Sequence, residues 1–415
     1  MPHTSHLGLF EAIGVELEYM IVDQDRLATL PVCDRILTAE AGSIVSDVEF
    51  DDISWSNELV LHVIELKTTN PVAELKPLSD QFQQHVHRVN THLASLAGRL
   101  MPTAMHPWMN PANDTHLWPH DCGTIYKAFD RIFGCSGHGW ANLQSLHINL
   151  PFADDQEFGR LHAAVRLLLP IIPAIAASSP IVEGHVTGPL DNRLIAYRSN
   201  SQTIPSIAGH IVPEPVFTKA TYQKDILERI YGDLAPYDAP GVLRYEWVNA
   251  RGAIARFDRD TIEIRLIDTQ ECPAADIAIV AAVVAVLKLI VAETWSSLVS
   301  QQSWSTETLA SILHDTTIYG EATTITNTAY LETLGFSRVA TCTAGELWQH
   351  LIDAADKHLF ADLAGYEREL EIILRKGPLA RRILRATEAT SAPGSITDVY
   401  RRLCDCLAEG KMFMP

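Results

Sequence analysis

GVELEYMIVD, Gly14 to Asp23, alternates side chains with the period of a β-strand. Val15, Leu17, Tyr19 and Ile21 make one face, suited to a core, while Glu16 and Glu18 share the other. Two carboxylates side by side in water need no explanation. Inside a cleft they repel unless a cation or a proton lies between them.

Three further stretches repeat the pattern. NELVLHVIELKTT offers Glu58 and Glu65, and its strand must end before Pro71. QSLHINLPF puts Ser145, His147 and Asn149 on one face, and RFDRDTIEIRLID puts Thr261, Glu263, Arg265 and Ile267 on one face with Ile262, Ile264 and Leu266 on the other. LMPTAMHPW is another strand candidate. A polar face on an antiparallel sheet is ordinarily a solvated one. Four such strands, read as carrying acids without matching lysines, argue instead for one concave surface lined with carboxylates. Mg²⁺ prefers such oxygen ligands and binds through a few carboxylates, water and substrate phosphates, so this surface suits a nucleoside triphosphate. Arg265, two residues beyond Glu263, would reach a phosphoryl group in transfer and offset its developing charge.

Elsewhere the periodicity is helical. Phe82, Val86, Val89, Leu93, Leu96 and Leu100 form one stripe over residues 79–100, whose His85, His87 and His92 read as solvent-facing or satisfied surface residues, not ligands. Residues 124–135 look helical, and Pro170 and Pro173 should kink or split the helix that follows QSLHINLPF. The Pro, Gly, Asn and Ser-rich segment 184–215 reads as one long loop. Ile277 to Ala292 is apolar but carries Lys288 and falls short of the ~20 residues a bilayer needs, so it reads as a buried helix. From about residue 274 onward the pattern stays helical. Strands punctuated by helices and then a helical third predict an α+β fold, with a mainly antiparallel sheet covered by helices.

The 415 residues, 47% of them hydrophobic, suffice for one large core or two modest ones, and a formal charge of −19 argues against nucleic acid or an anionic membrane surface as partners. Seven scattered cysteines without a CxxC pair, and no secretory leader read in MPHTSHLGLF, predict reduced thiols in a cytoplasmic protein.

Taken in order, GVELEYMIVD, VIELKTTNP, AMHPW, SLHINLPF and TIEIRLIDTQECP resemble the carboxylate–amine ligases of the glutamate–cysteine ligase type. The catalytic domain of that family is related in fold to glutamine synthetase and the guanidino kinases. The resemblance covers a catalytic region at about 8–300, with 301–415 as helices packed on the same domain. It implies an ATP- and Mg²⁺-dependent ligase acting on small molecules, which activates a side-chain carboxylate as an acyl phosphate for attack by an amine. Glutamate and cysteine, the first step of glutathione biosynthesis, are its implied substrates. Another amine acceptor, or a silent nucleotide or amino-acid sensor on the same sheet, are the alternatives.

Residue by residue, Glu16, Glu18, Glu65, His147 and Glu263 match the family's metal and nucleotide positions, and Arg265 its arginine near the transferred phosphate. Glu58 stands seven residues before Glu65, an odd spacing that requires a bulge or bend to join the site. Where many members carry a second histidine, this chain has Ser145. A substrate α-carboxylate calls for a guanidinium, so Arg193, Arg198, Arg251 and Arg256 are substrate-binding candidates together with Asn149. Arg198 leads them, from its place in the loop expected to cover the site. Family members are often homo-oligomers, an expectation carried over here.

Overall fold

The structure is a computed structural model and describes residues 6–121, 123–337, 340–388 and 395–415. Its strands, in chain order, are β1 Gly14–Asp23, β2 Asp47–Val48, β3 Ile53–Asn57, β4 Val63–Thr68, β5 Gly98–Met101, β6 Ser145–Pro151, β7 Ile181–Val182, β8 His185–Val186, β9 Ala253–Arg256, β10 Thr261–Asp268, β11 Thr324–Ile325 and β12 Cys342–Thr343. β7 pairs with β8 and β11 with β12, the latter pair interrupting a C-terminal part expected to be helical throughout, and the other strands join one antiparallel sheet ordered β2-β3-β4-β1-β6-β10-β9. β5 pairs with the far end of β1, beyond the stretch that β6 occupies. The fold is therefore the expected mix of helix and antiparallel sheet.

The alternation of β1 explains its central place. Val15, Leu17, Tyr19 and Ile21 are fully buried in the main core, each contributing roughly 1.5–3 kcal/mol by leaving water. Helix Pro273–Val291 belongs to the same core and packs on helices Leu78–Ala94, Asp155–Leu168 and Ala344–His358. It is the one described helix long and apolar enough to cross a membrane, yet 83% of its apolar window is buried inside the protein. The opposite face of β1 is divided. Glu16 and Glu18 open onto a cleft, whereas Met20 and Val22 lie under Leu379, Ile383, Val399, Tyr400 and Leu403 of the C-terminal helices. Those helices thus close one end of the face on which the acids stand.

Several local expectations change. Segment 184–215 is not one loop, for it holds β8 and the helix Asn192–Ser199, whose N-terminus Asp191 caps by accepting from Leu194 N. LMPTAMHPW contributes only Leu100 and Met101 to a strand, because Pro102 follows without an N–H for the ladder. The prolines end helix Asp155–Leu168, which passes through a 3₁₀ turn into Pro173–Ala176. His85 is buried rather than solvent-facing, and is satisfied by Trp55 Nε1 and Asp52. His92 bonds Glu40 and His87 bonds a backbone carbonyl.

Candidate active site

The polar face of the sheet floors a cleft of about 920 Å³. Register brings the sequence-predicted residues together: β1 pairs Glu16 with His147 of β6 and Glu18 with Glu65 of β4, and β10 pairs Glu263 with Asn149. Glu58 arrives differently. It is not on the strand of Glu65 but just beyond β3, where the chain reverses into β4, and that reversal supplies the bend its spacing required. Oxygen or nitrogen atoms of Glu16, Glu65 and His147 lie within 4.8 Å of one another, as do those of Glu18, Glu58 and Glu65. Glu65 is common to both groups.

A bulge re-aims β10. Ile264 pairs with Ile148 and Ile267 with Leu146, so Arg265 and Leu266 together oppose His147. The extra residue turns Ile267 into the core, not onto the polar face where strict alternation put it. Arg265 stays on the cleft side, with its Nε donating to Glu263 Oε1 (2.9 Å) and Nη1 directed at Asn249 O.

Positive charge from the chain itself balances part of the acids. His147 Nδ1 donates to Glu16 Oε2 (2.9 Å), and its Nε2 lies 2.8 Å from Ser145 Oγ. Ser145 Oγ in turn donates to Glu18 Oε2 (3.0 Å), which makes His147 a donor at both ring nitrogens. Burial opposes that charge, but Glu16, Glu18 and Glu263 raise His147 above its ordinary value. Asn149, expected on the substrate, gives its amide to Glu16 Oε1 (2.9 Å). Burial would raise Glu16, yet His147, Lys67 and Asn149 hold it at about 2. Glu58 and Glu65 are shifted the other way. Burial and the neighbouring carboxylates push Glu58 well up and Glu65 to about 7. Such a set of oxygens, two of them resisting ionisation because they are buried among like charges, fits Mg²⁺.

The four arginine candidates separate. Arg193 is buried and lines the cleft, donating from Nη2 to Arg265 O (2.8 Å). Arg256 also lines it, bound to Asp258 and by Nη1 to Glu263 (3.3 Å). Arg251 lies outside the lining, buried and held by Glu214 through Nε and Nη2 at 2.6 Å each. Arg198 is exposed and bonds His314, because it sits on a helix that turns Arg193 and Tyr197, not Arg198, toward the cleft.

Local patterning hid other residues. Lys67 stands two residues beyond Glu65 on the same face and 3.0 Å from its Oε1, so these strands do carry a matching lysine, visible by simple alternation. Ser56 donates to Glu65 Oε1 (2.6 Å) from β3, and Tyr126, Phe129, Trp140 and Trp247 wall one end of the cleft. No local signal marked these five, since long-range pairing puts them there.

The model of glutamate–cysteine ligase family 2 matches residues 12–404. An uncharacterized protein of Archaeoglobus fulgidus is 37% identical over 277 residues, 66% of this chain and 74% of that protein. Among solved structures, glutamate–cysteine ligase from Francisella tularensis, crystallised with AMP, superposes with a TM-score of 0.59 at 13% identity, over 95% of this chain and 88% of that one. A bifunctional glutathione synthetase from Pasteurella multocida gives 0.55 at 13% identity, over 97% of this chain and 52% of that one. At such identities the two structures speak for the shared fold.

Proposed function

This chain belongs to glutamate–cysteine ligase family 2, and from that membership among carboxylate–amine ligases we propose that it joins the γ-carboxylate of glutamate to the amine of cysteine at the expense of ATP. The observation that carries the reading is the convergence of Glu16, Glu18, Glu58, Glu65, His147 and Glu263 on one cleft floor, beside Arg265.

Glu18, Glu58 and Glu65 would form one set of ligands, and Glu16, Glu65 and His147 the other once His147 has given up one of its ring protons. Mg²⁺ held there would supply charge that screens the triphosphate. Transfer of the γ-phosphoryl group to the glutamate side chain yields ADP and an acyl phosphate. The amine then attacks the acyl carbon, loses a proton and expels phosphate. Arg265 lies where its guanidinium offsets charge on the group in transfer. Arg193, whose Nε has no hydrogen-bond partner among the described residues, is our choice for the substrate α-carboxylate: its Nη1 stands 3.6 Å from Asp268 Oδ1, whereas Arg256 is bound more closely by Asp258 and Glu263. The aromatic wall shields the acyl phosphate from water. We place the reaction in the cytoplasm, where the six described cysteines, all free, stay reduced.

The test is turnover. Protein with Mg-ATP, glutamate and a panel of amines should release ADP and phosphate only with a correct acceptor, cysteine first. Release with a different amine would keep the chemistry and replace the acceptor. No release with any amine would sink the ligase reading.

A further inference from the structure

The acids are flanked by cations on two sides. On the β10 side Arg256 and Arg265 hold Glu263, while on the β4 side a lysine stands alone. Lys67 is paired across the β1–β4 ladder with Glu16 and lines the cleft. Its Nζ lies 3.0 Å from Glu65 Oε1, 2.8 Å from Ser56 Oγ and 3.3 Å from Asp47 Oδ1. Glu65 is the carboxylate shared by both candidate cation sets, so a divalent ion that takes it competes directly with this ammonium. The two positive charges then repel at short range in a partly desolvated cleft. Asp47, a mostly exposed acid on the edge strand, is a weak alternative partner. A triphosphate on the cleft floor is a strong one.

We propose that Lys67 is a further nucleotide-binding residue: displaced from Glu65 when a divalent cation binds, its ammonium donates to phosphate oxygens on the side opposite Arg265. The proposal rests on the ligase reading. Lysine suits the task because its charge rides a flexible stem with three donors, so it can leave Glu65 without disturbing β4. A residue serving only as a structural counter-ion to Glu65 would stay where it is.

Lys67→Met, Lys67→Gln and Lys67→Arg separate the two roles. Calorimetry measures affinity for a non-hydrolysable ATP analogue with Mg²⁺, and electron paramagnetic resonance measures Mn²⁺ binding without nucleotide. Removing the charge should weaken analogue binding by about tenfold or more, the loss of a charge-assisted hydrogen bond. Mn²⁺ affinity should hold or tighten, because a competitor for Glu65 is gone. Lys67→Arg should recover most of the analogue affinity, and in turnover the neutral variants should raise the KM for ATP more than they lower kcat. Lys67→Gln keeps a polar group beside Ser56 and answers the question if the methionine variant does not fold. The proposal is overturned if neutral variants bind the analogue within about twofold of the native chain, or if analogue and Mn²⁺ affinity fall in parallel. A native chain that fails to bind Mg²⁺ with the analogue would instead overturn the ligase reading, and this proposal with it.

Discussion

Glu65→Gln should make the protein more stable and less functional at once. Glu65 is buried, and burial together with Glu16 lifts it from 4.5 to about 7 even though Lys67 and the Ser56 hydroxyl favour its charge. A carboxyl raised on folding keeps its proton while the unfolded chain loses one, so stability falls as pH rises from about 4.5 to 7. A lift of that size corresponds to on the order of 3 kcal/mol lost above pH 7. Glutamine has the same shape, still accepts from Ser56 and has no charge to bury. Urea unfolding in EDTA should therefore show Glu65→Gln stabilised at pH 8 by up to roughly 3 kcal/mol, and nearly unchanged at pH 4.5. Because both candidate cation sets share this carboxylate, the rise in melting temperature expected of the native chain with Mg²⁺ should largely vanish, along with the proposed turnover. A variant less stable than the native chain at pH 8, or one keeping its full Mg²⁺ response, would refute the account of the cleft.

Three further outcomes test the surroundings. Arg251→Met strands Glu214 and should lower stability by about 3–5 kcal/mol while leaving the KM for glutamate unchanged, whereas Arg198→Ala should alter neither urea midpoint nor KM. His162, stacked on Phe158, is held neutral by burial and by nearby Arg166, with its pKa lowered to about 3. The unfolded chain gains that proton first, near 6.5, so stability is intact above this value and falls below it. From pH 7 to 5 the native chain should lose about 2 kcal/mol that His162→Leu does not lose, read from paired urea titrations.

The polar face of β1 was legible because strand geometry is local. Glu16 and Glu18 share a face in any straight strand, as do Glu65 and Lys67, and the same rule located His147, Asn149, Glu263 and Arg265. It failed at the bulge, where one extra residue sent Ile267 to the core, and in 184–215, where a short helix with few apolar residues shows no clear stripe. Among the arginines it was blind, since Arg193 and Arg198 stand on one eight-residue helix and differ only in the side they turn to the cleft.

The sequence by itself determined which residues each strand offers to one face, and so that acids, an imidazole and a guanidinium would gather wherever those strands met. Only the tertiary structure decided that this face looks into a cleft and not into water, because hydrogen-bond pairing between strands far apart in the chain is chosen by the whole core. The same pairing brought Ser56 up to Glu65, and the reversal between β3 and β4 carried Glu58 to the same carboxylate. Periodicity is a property of one segment, whereas a buried charge takes its meaning from every segment packed around it.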